Sequence, residues 1–169
     1  MAESRAQERL LPSLLDRLID EAPKHKQESR DQAHMSLRRL REAVVRDLTW
    51  LFNATNLAED LDDFPEVRRS VLNYGMPHFT GFTASGMELP ALERLIRQVI
   101  WDFEPRLLRN TVAVRALIGE SRLDHNSISF QITGQLWSEP MPENIYLKTE
   151  VDLESGDVTV SEYAGGRDD

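Results

Sequence analysis

The chain has no cysteine in 169 residues, which excludes disulfides, thiolate metal sites and thiol catalysis together. It has no apolar run near the ~18 residues of a membrane-spanning helix, so direct membrane insertion is not expected. Met1–Arg9 is too polar for a secretory signal, and the cytoplasm is the expected location. Histidine is scarce, and His25, His34, His78 and His125 stand apart with no His-Glu-x-x-His spacing, so zinc is not expected. The chain contains no Gly-x-x-x-x-Gly-Lys loop and no Gly-x-Ser-x-Gly elbow. Gly75, Gly81 and Gly86 therefore read as turn glycines, and neither a phosphate cofactor nor a serine nucleophile is indicated.

Basic charge is short as well. Twenty Lys and Arg face 29 Asp and Glu, a net of −9. The excess is uneven: residues 1–56 sum to +1, 57–111 to −3 and 112–169 to −7. Nucleic acid needs a basic face, so it is not an expected partner. The acidic last third suits a basic protein surface or simply aids solubility. What is present, 40% apolar residues over one domain's length, is enough for a core.

The apolar period divides the chain. Leu10, Leu11, Leu14, Leu15, Leu18 and Ile19 recur at helical spacing and predict a short amphipathic helix. A polar linker, 22–33, follows. Leu37, Leu40, Val44, Leu48, Leu51 and Phe52 form one stripe of a second helix, whose outer face carries Arg38, Arg39, Glu42 and Arg46. Glu42 and Arg46 stand in the favourable i,i+4 order. Asp62-Asp63-Phe64-Pro65-Glu66 reads as a helix start with an acidic cap, and that helix is expected to stop near Tyr74, with Gly75 in the left-handed conformation. Leu92, Leu95, Ile96, Val99, Ile100 and Phe103 define another helix, ended by Pro105.

Past Thr111 the period becomes two. Val112 to Ile118, Ile128 to Leu136, Ile145 to Leu153 and Val158 to Tyr163 read as strands, each with one wet face. The expected architecture is α+β: three main helices and a short one packed on a C-terminal four-stranded antiparallel meander. The expected divisions are 1–34 (helix and linker), 35–163 (the domain) and 164–169 (a tail).

Three segments stand out. In Leu11-Pro12-Ser13-Leu14-Leu15-Asp16-Arg17-Leu18 the leucines cover most of a helix that a linker separates from the body, so it packs either on its own core or on another subunit. Ser70-Val71-Leu72-Asn73-Tyr74-Gly75-Met76-Pro77 concentrates shape-determining residues in an ordered turn. Glu104-Pro105-Arg106 places an acid where the helix dipole disfavours it and a cation where it is favoured. Either the pair seals the helix end, or it docks a partner's charged groups.

Together, in this order, these segments resemble the TssE family, small baseplate wedge subunits of type VI secretion systems related to phage-tail wedge proteins filed under an acidic-lysozyme name. The chain departs from the family pattern after Pro77, where Asp is usual and His78-Phe79-Thr80-Gly81 follows. The resemblance implies a non-enzymatic structural subunit on the cytoplasmic side of the inner membrane. It would have no cofactor, metal or small-molecule substrate. Its implied partners are TssF-, TssG- and TssK-like wedge subunits and the sheath subunits, whose strand-exchanging handshake domain the β-region resembles. The open edge would be 158–163 or 112–118. Glu104, Pro105 and Arg106, with Leu14, Leu15, Leu18, Asn73, Tyr74 and Gly75, become the partner-binding candidates, and alanine at Glu104 or Arg106 is expected to weaken assembly without unfolding the chain. The alternatives are a muramidase-like hydrolase, which needs a raised-pKa acid beside a second carboxylate, and an adaptor that binds one partner through its first helix.

Overall fold

A computed structural model describes residues 13–18, 36–57, 61–77, 89–117, 127–138 and 141–163. All four histidines, the expected 22–33 linker and the expected 164–169 tail lie outside the described residues. Four helices precede four strands: α1 Leu14–Leu18, α2 Leu37–Asn53, α3 Pro65–Arg68, α4 Leu89–Phe103, then β1 Ala113–Ala116, β2 Ser127–Leu136, β3 Glu143–Asp152 and β4 Val158–Glu162. The chain is α+β.

α2 begins where the Ser36 hydroxyl accepts the Arg39 amide, satisfying one of the first-turn donors. Leu40, Ala43, Val44, Leu48, Leu51 and Phe52 are its buried stripe. Leu92, Ile96, Val99 and Ile100 are that of α4, with Leu95 and Phe103 half-buried at its margin. The third helical segment is shorter than its sequence suggests. α3 is a single turn capped by Phe64 with no side-chain hydrogen bond, because Asp62 pairs with Arg68 instead. A 3-10 turn, Val71–Asn73, follows it. The expected Glu42–Arg46 pair is also not formed. Arg38 takes Glu42 at 2.8 Å, and this leaves Arg46 free to turn toward α1.

The strands form an antiparallel meander in the order β1-β2-β3-β4. One row, Ala116–Phe130–Thr149–Val160, crosses all four. β1 is shorter than the expected 112–118 and β4 stops at Glu162. The dry face, with Val114, Phe130, Ile132, Leu136, Ile145, Leu147, Val151, Val158 and Val160, joins the stripes of α2 and α4 in one core. Burial of each such side chain contributes roughly 1.5–3 kcal/mol. Between β3 and β4 the Asp152 carboxylate accepts the amides of Glu154 and Ser155, and Gly156 takes φ +80°. No helix among the described residues is long and apolar enough to cross a membrane.

Candidate docking site

α4 stops because Pro105 has no amide to continue it. The carboxylate of Glu104, only 3% exposed, then turns back on its own neighbour. Glu104 Oε1 accepts from the Arg106 amide at 3.1 Å and from Arg106 Nε at 2.7 Å, while Nη2 donates to Oε2. The remaining reach of Arg106 Nη2 goes to Asp47 Oδ2 of α2, at 2.7 Å. Asp47 Oδ1 in turn accepts from Arg46 Nε at 2.8 Å, and Arg46 Nη1 donates to Asp16 Oδ1 of α1 at 2.6 Å. Ser13 Oγ closes the far end, donating to Asp16 Oδ2 at 2.6 Å. The result is an alternating chain Asp16–Arg46–Asp47–Arg106–Glu104 that ties α1, α2 and the end of α4 together.

The electrostatics follow from this alternation. Burial works against the charge of Arg106, but hydrogen bonds and charges from Glu104 and Asp47 more than reverse it and hold the guanidinium above its ordinary value. Burial pushes the Asp16 carboxyl up, yet the bonds from Arg46 and Ser13 outweigh it and the net direction is down. Tyr74 is raised by burial, with the charges of Asp47 and Glu104 adding to it. Its ring packs edge-on against Phe103, the last residue of α4, at 5.3 Å. Tyr74 therefore sits beside the same charges.

The structure thus brings together all three segments singled out in sequence. Within the central run, Asn73 and Gly75 shape the backbone. Asn73 Oδ1 accepts the Leu57 amide and its Nδ2 donates to the Arg68 carbonyl. Gly75 presses against Ala54 just past α2, next to the Thr55–Met76 bridge. The leucines of α1 stay at the surface. Leu14 and Leu18 are 72% and 73% exposed, and α1 buries no residue. The contacts described between α1 and α2 run through Asp16. Trp50 is 51% exposed under the Arg46 guanidinium, 5.2 Å from ring centroid to Cζ. Trp137 is 50% exposed, and its amide donates to the Arg106 carbonyl at 2.8 Å. Exposed Trp beside an arginine network has the composition of an interface centre.

Sequence reading placed Arg46 on the outer face of α2 with Glu42 as its partner, and passed over Asp47, Trp50 and Trp137. A signal for Asp47 was present: it stands three residues after Val44 and four before Leu51, on the margin of the buried stripe, where an acid needs a partner. The two tryptophans have no such pattern.

The geometry revises one expectation. Glu104 is consumed by bonds within the chain, so its removal disturbs the fold as well as any surface it supports. Among the described residues no group of three or more His, Asp or Glu is arranged to hold a metal ion.

Because Asp16 titrates lower in the folded chain than its unfolded value near ~3.9, its contribution is complete above that value and is lost as pH falls through the folded one. The expected difference in stability between the parent and Asp16→Asn is about 1 kcal/mol at pH 6. It should shrink below about pH 4. Urea unfolding at both pH values checks this, and a gap that widens in acid would contradict the assignment.

No curated protein and no solved structure matches the chain. A family model matches residues 38–141, more than half of the chain, from the first turn of α2 through Glu104-Pro105-Arg106 and β2 to just before β3. The chain belongs to the family of the baseplate wedge protein gp25.

Proposed function

We propose that this wedge-family chain is the TssE-like subunit of a type VI, contractile secretion baseplate. In this reading it binds TssF-, TssG- and TssK-like wedge subunits on the cytoplasmic side of the inner membrane. It starts the sheath by offering a sheet edge to a sheath strand, and its role is structural rather than catalytic. The observation that carries the reading is the convergence of α1, Tyr74 and Glu104-Pro105-Arg106 on one ion chain, rimmed by exposed Leu14, Leu18, Trp50 and Trp137. A partly buried charge network of this kind fixes the shape of a surface, and the exposed aromatic and leucine side chains around it supply the area that a partner would cover. The second support is a four-stranded meander with two outer strands, which an extended partner segment can lengthen.

The test is co-expression with the TssF- and TssG-like proteins of the same organism, followed by size-exclusion chromatography. The parent chain should co-elute. Leu14→Ser/Leu18→Ser and Trp137→Ala, which alter only exposed side chains, should unfold like the parent yet bind roughly tenfold or more weakly. A parent chain that elutes alone from both partners would sink the wedge assignment.

A further inference from the structure

We infer that the outer side of α4 is a second docking surface, separate from the ion chain, which takes an acidic segment of a partner protein on Arg94, Arg97 and Arg109 around Trp101. Arg94, Arg97 and Trp101 stand at i, i+3 and i+7 of α4, which puts them on one side of the helix. Leu92, Ile96, Val99 and Ile100 turn the opposite side into the core. The third cation comes from beyond the helix end. Arg109, in the 3-10 turn Arg109–Thr111, reaches back so that its Nε and Nη2 donate to the Trp101 carbonyl at 3.2 and 2.9 Å. Its Cζ then lies 5.9 Å from the centre of the Trp101 ring, and the Arg97 Cζ lies 5.4 Å from it. Two guanidiniums thus share one indole.

The charge of this cluster is largely unspent. Among the described residues Arg94 and Arg97 have no ion pair and no hydrogen bond through their side chains, and Arg97 Nε and Trp101 Nε1 are enclosed without an acceptor. Enclosed donors are nearly always paired within a fold, so two exceptions side by side mark a place where an acceptor is missing. The acids nearby are committed elsewhere. Glu93 accepts the Ala116 amide at 2.7 Å. Asp102 accepts from Gln98 at 2.9 Å and reaches Arg109, whose side chain is 64% exposed, only at 3.3 Å. The ion chain is built differently, because Arg46 and Arg106 are each held between two carboxylates.

Charge complementarity selects the occupant. The chain carries a net of −9, and 112–169 alone sum to −7, so a cation-rich patch stands against an acidic background. A long polyanion, whether nucleic acid or an anionic lipid surface, would run onto that background and be repelled. A short protein segment with a few Asp or Glu meets the arginines alone. Guanidiniums match carboxylates with two parallel hydrogen bonds, and an indole between them adds the kind of anchor that dominates interface energetics.

The experiment titrates hexaglutamate into the full, isotope-labelled chain and follows the indole N–H signals by NMR. Three tryptophans give three such signals, so Trp101 reports apart from Trp50 and Trp137. Trp50 lies under the Arg46 guanidinium and therefore controls for a general response to a polyanion. The Trp101 signal should shift saturably while the other two stay in place. Arg94→Gln/Arg97→Gln should raise the Kd roughly fivefold or more. Should the double variant unfold, Arg94→Gln decides: its exposed side chain touches no described partner, so it should keep the parent's Tm and bind about twofold more weakly. No shift at Trp101, equal shifts at all three, or unchanged affinity in the folded variants would overturn the proposal. Tighter binding of duplex DNA or phosphatidylglycerol vesicles at Trp101 would overturn the choice of an acidic protein segment. A Trp101 signal that moves with chain concentration, without peptide, would put a second copy in its place. None of these results bears on the wedge assignment, which co-elution tests separately.

Discussion

Glu104→Ala should lower the folding stability by about 3–5 kcal/mol, the range for removing one member of a buried ion pair. The carboxylate accepts three hydrogen bonds from Arg106 and is almost wholly buried. Its removal leaves the Arg106 guanidinium, itself one-quarter exposed, with Asp47 alone. It also strips the acceptor from the amide that follows Pro105. For a chain of this size the loss is roughly a 10 °C fall in Tm. It is a large share of the ~5–15 kcal/mol that holds a domain folded. Glu104→Gln keeps the shape and one acceptor and should lose about half as much. Thermal unfolding of both variants checks this, and an alanine variant within ~2 °C of the parent would mean the ion chain carries no net stability. The consequence for function is direct: weakened assembly by Glu104→Ala reports on partner contact only after its folding has been measured.

The second large effect is expected at Gly75→Ala. Gly75 holds φ +123°, a backbone region that costs an L side chain about 1–3 kcal/mol. A Cβ there would also collide with the Ala54 carbonyl, 2.7 Å from its carbon and closer still to its oxygen. That carbonyl cannot yield, since it belongs to the residue whose amide caps α2 by donating to the Trp50 carbonyl, and it accepts the Met76 amide at 2.8 Å. Strain and collision together should cost roughly 3 kcal/mol or more. They should also detach the Tyr74 segment from the ion chain. Gly134→Ala is the contrast, because a Cβ there meets only side-chain atoms of Leu107, Val112 and Thr111 at 3.6–3.8 Å. Its midpoint in urea should match or slightly exceed the parent's, by ~0.5 kcal/mol. Equal loss in the two variants would contradict the account of Gly75.

The α+β order was legible because each element's period is local. The stripe from Leu40 to Phe52 can bury one face only as a helix, and Phe130, Ile132 and Leu136 only as a strand. Pro105 had to end α4 for the same local reason. The short third helix was less legible. Asp62 has the chemistry of a cap, but a cation six residues on, Arg68, claimed its carboxylate, and competition of that kind is invisible to spacing. Arg46 shows the same limit. Its i,i+4 neighbour Glu42 was the expected partner, yet Arg38 took Glu42 and Asp16, thirty residues away, took Arg46.

Of the candidate site, the sequence alone carried the three segments and the charge of Glu104 and Arg106. It did not say that they meet, because Asp47, the group that joins Arg106 to Arg46, belongs to a helix with no motif of its own. Nor did it separate a sealed helix end from an exposed charge pair, since burial is set by what packs on Glu104 rather than by its neighbours in the chain. By itself the sequence determined the elements, their order, the meander and the breaks at Pro105 and Gly75, all of which follow from backbone and side-chain properties within a few residues. The tertiary structure alone decided which charges pair and which leucines stay outside. Those depend on distances between elements far apart in the chain, and a one-dimensional pattern carries no record of them.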